Sequence, residues 1–239
     1  MKQALIIYGG WEGHAPKETS QFYQTLLESE GYQVTLASDF EPLYHKEELK
    51  RLDLLIMNWT RGELPDEPLQ NVTQAVAEGL GLAGVHGGFA SAFQASKGWL
   101  FLTGGCFLAH PGGLETTYSI DLTTDHYITA NTQSIPQLTT EQYYCLVDPA
   151  VTVLATSTFA AKDHPNAANQ EVILPMMWIK KWGKGRVFFQ SVGHSLKELK
   201  EPTIQTWTKR GFLWATRNTL TDPLKNSRYS ESSEKRMRK

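Results

Sequence analysis

The chain has 239 residues, 41% hydrophobic and 20% charged, with a formal net charge of -2. That is enough chain for one sizeable α/β domain; it gives a nucleic-acid partner no electrostatic support, and no apolar run approaches the roughly 20 residues that span a bilayer. Two cysteines, Cys106 and Cys145, make no disulfide framework, and the N-terminal apolar run is too short for a signal peptide, so the expected address is the cytoplasm with both thiols reduced.

Lys2 to Tyr8 is a nearly continuous apolar run, which suits a strand buried on both faces of a parallel sheet. Pro16 to Glu30 follows as a helix, with Phe22, Leu26 and Leu27 at helical spacing and Gly31 as its stop. Tyr32 to Ala37 reads as a second strand, His45 to Arg51 as a short helix, and Leu52 to Trp59 as a third strand. Pro65 to Glu78 is a helix with proline in its first turn, and Gly79 to Val85 a fourth strand ending at His86. Strand and helix alternate as in βαβ crossovers, the signature of a flavodoxin-like, doubly wound, mostly parallel sheet with helices on both faces.

The second half is richer in strands, at Thr116 to Thr123, Val151 to Phe159, Val172 to Lys181 and Arg186 to Val192. Trp182-Gly183-Lys184-Gly185 joins the last two as a C-terminal hairpin, and Pro202 to Arg217 is a closing helix. Residues 1–220 thus read as one domain. The stretch 221–239 carries six Lys or Arg without apolar periodicity and reads as a polar, solvated, disordered tail.

Ligands of such sheets bind beyond the carboxyl ends of the strands. Those ends carry Gly9-Gly10-Trp11, Asn58-Trp59-Thr60 and Gly84-Val85-His86-Gly87-Gly88. The glycines after the first strand follow neither a dinucleotide fingerprint nor a Walker loop; they fit close passage of backbone, with His14 just beyond. The fourth strand end has the form of a nucleophile elbow with histidine at its apex, and Gly87 and Gly88 permit the sharp turn. His110 precedes Pro111, Glu141 stands beside Tyr143, and His194 follows Gly193 at another strand end.

Cys106 and His110 stand four apart, but Pro111 argues against a continuing helix; a buried small hydrophobe is the plainer reading of Cys106. Asp125-His126 reads as a surface pair. Three imidazoles and a carboxylate suit a divalent cation such as Zn²⁺, although no H-E-x-x-H or C-x-x-C spacing is present. His110, His194 and Glu141 are the candidate metal ligands. Trp11, Trp59, Trp99, Trp178 and Trp182 are either a sugar-stacking surface or core.

In this order the pieces resemble the trehalose-utilisation ThuA-like family of the class I glutamine amidotransferase-like superfamily. The matching residues are Gly9-Gly10 with His14, Gly84 to Gly88, Gly104-Gly105 with Phe107 and His110-Pro111, and Glu141 with Tyr143. Pro175 to Trp178, Gly183 to Phe188 and Gly193-His194 complete the set, so the resemblance runs from about residue 2 to about 217. It implies a flavodoxin-like sheet, a pocket over the strand ends, and a role in the use of trehalose, related disaccharides or keto-sugars. In glutamine amidotransferases the elbow carries a catalytic cysteine; with His86 in that place, glutamine hydrolysis through a thioester is not expected. The family also tends to have Asp-Glu before the tyrosine, whereas this chain has Thr140-Glu141, one carboxylate fewer.

The expectation is therefore a sugar-metabolising protein that works by His/Glu acid–base or metal-assisted chemistry. His86, Glu141 and His14 are its candidate catalytic residues, and Gly10, Trp11, Trp59, Gly87, Gly88 and Tyr143 its candidate substrate contacts. The expected partner is a small-molecule sugar, without nucleic acid or membrane, with a second copy of the chain as a further candidate. The alternatives are a non-catalytic sugar-binding or regulatory module and a hydrolase dependent on Cys106.

Overall fold

The computed structural model describes residues 1–160 and 171–217; the basic tail expected at 221–239 lies outside the described residues. The first half builds β1 (Lys2–Gly10), α1 (Pro16–Glu28), β2 (Tyr32–Ala37), α2 (Lys46–Leu49), β3 (Leu54–Thr60), α3 (Asp66–Ala77) and β4 (Gly81–Val85). Its elements follow the apolar pattern to within two or three residues, apart from the shorter α2. Then come α4 (Gly87–Ala90), α5 (Lys97–Thr103), β5 (Gly105–Ala109), β6 (Thr116–Leu122), β7 (Ile135–Thr140) and β8 (Tyr144–Val147). The chain continues as β9 (Thr152–Phe159), β10 (Val172–Trp182), β11 (Gly185–Gln190), α6 (Leu196–Leu199) and α7 (Pro202–Ala215).

Nine strands form one sheet in the order β2-β1-β3-β4-β11-β10-β9-β6-β7, and β5 pairs with β8 in a separate two-stranded sheet. The run β2-β1-β3-β4-β11 is parallel throughout and has the flavodoxin strand order, with β11 in the fifth place. Past β11 every neighbour is antiparallel. β10 and β11 are joined through Gly183-Lys184, with Trp182 opposite Gly185. Two short strands of this region, β5 and β8, are half exposed, and their apolar pattern is correspondingly weak.

The sheet is covered on both faces, which explains the continuous apolar runs of its parallel strands. Successive residues of β1 feed opposite cores. Ala4 and Ile6 pack with Tyr23 and Leu27 of α1 and with Trp207 and Phe212 of α7. Leu5 and Ile7 pack with Val72 and Val76 of α3, Phe89 of α4 and Trp99 of α5. All of these side chains are buried, each contributing about 1.5–3 kcal/mol. The helices begin and end on local signals: Ser96 accepts from the Trp99 amide at the start of α5, Gly104 closes it at φ 85°, and Glu201 caps α7 through the Ile204 amide with Pro202 at its first turn.

β1 and β3 are neighbours but lead to β2 and β4 on opposite sides. The sheet order therefore reverses between them, and a crevice opens beyond their carboxyl ends. Gly10 shapes that end of β1. At φ 82° it is in the left-handed region, and a Cβ there would lie 2.1 Å from the Thr60 carbonyl oxygen. No helix of the described residues is long and apolar enough to cross a membrane.

Candidate functional site

Three strand ends and one loop deliver the site. His14 lies in a short 3-10 turn after β1, and His86 follows β4 directly. His194 comes three residues beyond Ser191, which follows β11, while Glu141 sits between β7 and β8. His86 has φ 54° and ψ -143°, a conformation that costs an L-residue about 1–3 kcal/mol and persists where the surroundings impose it. This is the strained strand-to-helix turn of a nucleophile elbow. It is held by the His86 amide on the Gln190 carbonyl at 2.7 Å and by α4, whose Phe89 and Ala90 amides return to the His86 carbonyl. Gly87 lets His14 come close: a Cβ at that position would lie 2.2 Å from His14 Cε1 and 3.2 Å from the Tyr143 hydroxyl.

Three imidazole nitrogens converge on one carboxylate oxygen. Glu141 Oε2 is 3.1 Å from His86 Nε2, 3.3 Å from His194 Nδ1 and 3.5 Å from His110 Nε2. His14 joins them through ring contacts, 4.8 Å from His86 and 5.2 Å from His194 between centroids. Its Nδ1 is 2.8 Å from Thr60 Oγ1, which leaves Nε2 as the free ring nitrogen. His14, His86 and Glu141 are buried and His194 partly so.

The hydrogen bonds of His86 fix its tautomer. Nδ1 is 2.6 Å from the Ser191 carbonyl oxygen, which only accepts, so Nδ1 carries a proton. In the neutral ring Nε2 then carries a lone pair. Tyr143 can donate to it from 2.8 Å, but Glu141 Oε2 meets it lone pair against lone pair. That carboxylate oxygen and His194 Nδ1 are both buried without an aligned hydrogen-bond partner. Buried polar atoms call for a partner, and an ion between them is one that would serve both.

The donor set fits a divalent cation. One atom each from His14, His86, Glu141 and His194 lie within 4.8 Å of one another. The separations of Glu141 Oε2 from His86 and His194, 3.1 and 3.3 Å, lie at or just below the edge of about 3.3 Å expected between ligands bound at about 2.0–2.1 Å in a tetrahedron. Electrostatics favour the donor forms of His14 and Glu141 and oppose that of His194. Burial, with His86 and His194 nearby, lowers His14 to about 3, so its imidazole is neutral. Burial also lowers His110. Burial works against ionisation of Glu141, but His194, His86 and His110 outweigh it and hold the carboxyl below its usual range. The same carboxylate raises His194, and burial pushes the Tyr143 phenol well above its ordinary value.

A cavity of about 680 Å³ opens over this cluster. His14, His110, Glu141, Tyr143 and His194 line it, together with Trp11, Arg61, Phe107 and Glu198. Tyr143, Trp11 and four of the five titratable candidates line it, while His86 does not and joins them through Tyr143 and Glu141. Trp59, Gly10, Gly87 and Gly88 do not line it. Trp59 packs against Phe40 at 4.3 Å, and Gly88 passes Asn58, whose Oδ1 a Cβ would approach to 2.3 Å. Trp99 and Trp178 are fully buried and Trp182 packs on the same core. Of the five tryptophans named as a stacking surface, Trp11 alone lines the cavity. Cys106 lies on β5 outside it, and burial raises its thiol, the reverse of an activated nucleophile. His126 packs edge-on to Trp214 at 5.5 Å.

Several contributors carried no local signal. Ser191 acts through its backbone carbonyl. Glu198 accepts from Thr140 Oγ1 at 2.6 Å and from the His194 amide at 2.8 Å, although in sequence it resembles one charge among several. Thr60 was visible only as the last residue of a strand-end triplet.

A family model described as ThuA, trehalose utilisation, matches residues 3–215. No curated protein matches. Among solved structures, a ThuA-like protein from Bacteroides uniformis is similar over 90% of this chain and 91% of its own, with a TM-score of 0.69 and 20% identity. A ThuA-like protein from Parabacteroides merdae is similar over 90% and 89%, with a TM-score of 0.67 and 15% identity. A cytoplasmic protein from Salmonella typhimurium covers 89% and 96%, at 0.57 and 16%. At these identities the likeness concerns the fold.

Proposed function

We propose, from the premise that this chain belongs to the ThuA family of trehalose utilisation, that it is an enzyme acting on a disaccharide or an oxidised sugar at a divalent-cation site. The observation that carries the reading is the convergence of His86, His194 and His110 on the single oxygen Glu141 Oε2. His14, His86, His194 and Glu141 would hold the cation, with Zn²⁺ the best match to three imidazoles and a carboxylate. Such an ion supplies Lewis acidity to a sugar oxygen.

The chain's own groups supply binding and proton handling. His110 is outside the four-donor set, lines the cavity and is kept neutral by burial, so its imidazole is the candidate general base for a sugar hydroxyl or an acidified C–H. Tyr143 stays protonated through burial, and with the His86 Nε2 lone pair on the cation its one O–H would be free to donate to a sugar oxygen. Trp11, 41% exposed on the cavity wall, offers an apolar face to a pyranose ring. The cytoplasm, where free Cys106 and Cys145 stay reduced, is the proposed setting.

The test is a screen of trehalose, related disaccharides and their keto derivatives with protein stripped of metal and with protein reloaded with Zn²⁺. Turnover by the reloaded protein alone, unchanged in Cys106→Ser, supports the assignment. Sugar-induced thermal stabilisation without product in either form would make the protein a binding module instead.

A further inference from the structure

We propose that the sugar bound here carries an anionic group, a carboxylate or a phosphate, and that Arg61 is the residue that selects it. The inference rests on the reading of the cavity as a carbohydrate site and names the substrate class of that site.

Arg61 follows β3 directly and has φ 66°, the left-handed region that a residue with a Cβ avoids. Surrounding backbone holds it there. Its amide donates to the Ser91 carbonyl at 3.0 Å, its own carbonyl accepts from the Phe93 amide, and it forms a parallel bridge with Ala92. These partners follow the elbow that carries His86, so the position of Arg61 is coupled to that of the site. A non-glycine residue kept in a costly conformation beside a candidate site points to a function for its side chain.

The guanidinium lies 5.1 Å over the Trp11 ring, and that ring is 4.7 Å from the His14 ring. Two ring contacts therefore link the cation to the metal-ligand cluster. Arg61 makes no side-chain hydrogen bond or ion pair among the described residues. Lys197 also lines the cavity and is likewise unpaired among them. The cavity's carboxylates are mostly engaged: Glu141 faces the imidazoles and Glu198 serves Thr140 and His194, leaving Glu115 at the exposed edge. Of the charged groups on the cavity wall without a hydrogen-bond or ion-pair partner among the described residues, Arg61 and Lys197 are cationic and Glu115 alone is anionic. A guanidinium held over an indole and bonded to nothing else has its planar fork free, and that fork matches the two oxygens of a carboxylate or phosphate. A neutral disaccharide offers acceptor oxygens but no charge to match it.

Calorimetric titration of the full chain with two matched pairs, lactose against lactobionate and trehalose against trehalose 6-phosphate, tests this at fixed ionic strength. The anionic member of at least one pair is expected to bind about 10- to 100-fold more tightly than its neutral partner, the range for a charge-assisted contact. The pair that shows the gain identifies carboxylate or phosphate as the source. Arg61→Gly removes the guanidinium while suiting φ 66°, so the unliganded variant should melt no lower than the wild type and lose the preference. Equal binding within both pairs, or a preference that survives in Arg61→Gly, overturns the proposal and leaves a neutral-sugar site standing. Failure of all four sugars to bind overturns it together with the carbohydrate reading.

Discussion

His86 Nδ1 lies 2.6 Å from the carbonyl oxygen of Ser191, and this contact sets the chemistry of the elbow. A backbone acceptor fixes the proton on Nδ1 and turns the lone pair of Nε2 toward Glu141 and Tyr143. The strained turn at φ 54° thus presents an oriented imidazole. His86→Ala should retain the fold, shown by an unchanged far-ultraviolet spectrum, and lower turnover by a factor of about 10² or more. Full activity in that variant on a substrate of the wild type would remove His86 from the reaction.

Tyr143 should separate from the metal donors. Tyr143→Phe removes one buried hydroxyl, its 2.8 Å contact with His86 and about 1 kcal/mol of stability. We expect kcat to fall about 10-fold or more, with cation affinity changed less than threefold, a contrast read by pairing kinetics with a metal titration. An equal fall in metal affinity would make the phenol part of the cation site.

Glu198 bridges the two halves of the cluster, one oxygen on Thr140 beside Glu141 and the other on the His194 amide. It is a positioning residue, and outer-shell partners of this sort are worth about 10- to 100-fold in metal affinity. Glu198→Gln keeps the shape but disturbs the pattern of acceptors, and Thr140→Val breaks the other arm. Both should weaken Zn²⁺ binding in a competition titration while the melting temperature without metal moves only a few degrees. Wild-type affinity in both variants would reduce Glu198 to a surface contact.

The parallel half of the fold was legible because strands buried on both faces must be apolar throughout. Leu54 to Met57 and Leu5 to Ile7 say so in every residue. Strands β5, β7 and β8 were not, since each exposes part of a face and none alternates cleanly. His14, His86, His110, Glu141, Tyr143 and His194 stood out through their glycine, proline or strand-end neighbours. Arg61, Ser191 and Glu198 did not, because their roles depend on backbone geometry or on partners 30 or more residues away. Trp59 occupies a strand end yet turns its ring onto Phe40, a choice made by packing that the strand-end rule does not contain.

His14 makes acid stability a test of the buried cluster. Its imidazole is held at about 3 in the folded chain against an ordinary 6.5. Between those values the unfolded chain binds a proton that the folded chain refuses. Stability from this residue is therefore present above pH 6.5 and is lost as the pH falls toward 3, by at most about 1.4 kcal/mol per pH unit. Glu141, held low, adds to the loss only at pH values where an ordinary carboxyl protonates. His194, raised, opposes it near neutrality. In metal-free protein, urea midpoints measured between pH 6.5 and 5 should fall more steeply for the wild type than for His14→Gln. Parallel slopes would mean that His14 titrates normally.

The most direct measurement is metal analysis of protein purified without an affinity tag, followed by Zn²⁺ titration of the stripped wild type and of Glu141→Gln. The wild type should take up one divalent cation per chain, and Glu141→Gln, which keeps the shape but removes the charge at the point where the imidazoles meet, should bind it about 100-fold more weakly. A stripped wild type that binds no stoichiometric cation, or a Glu141→Gln variant that binds it as tightly, would contradict the cation site.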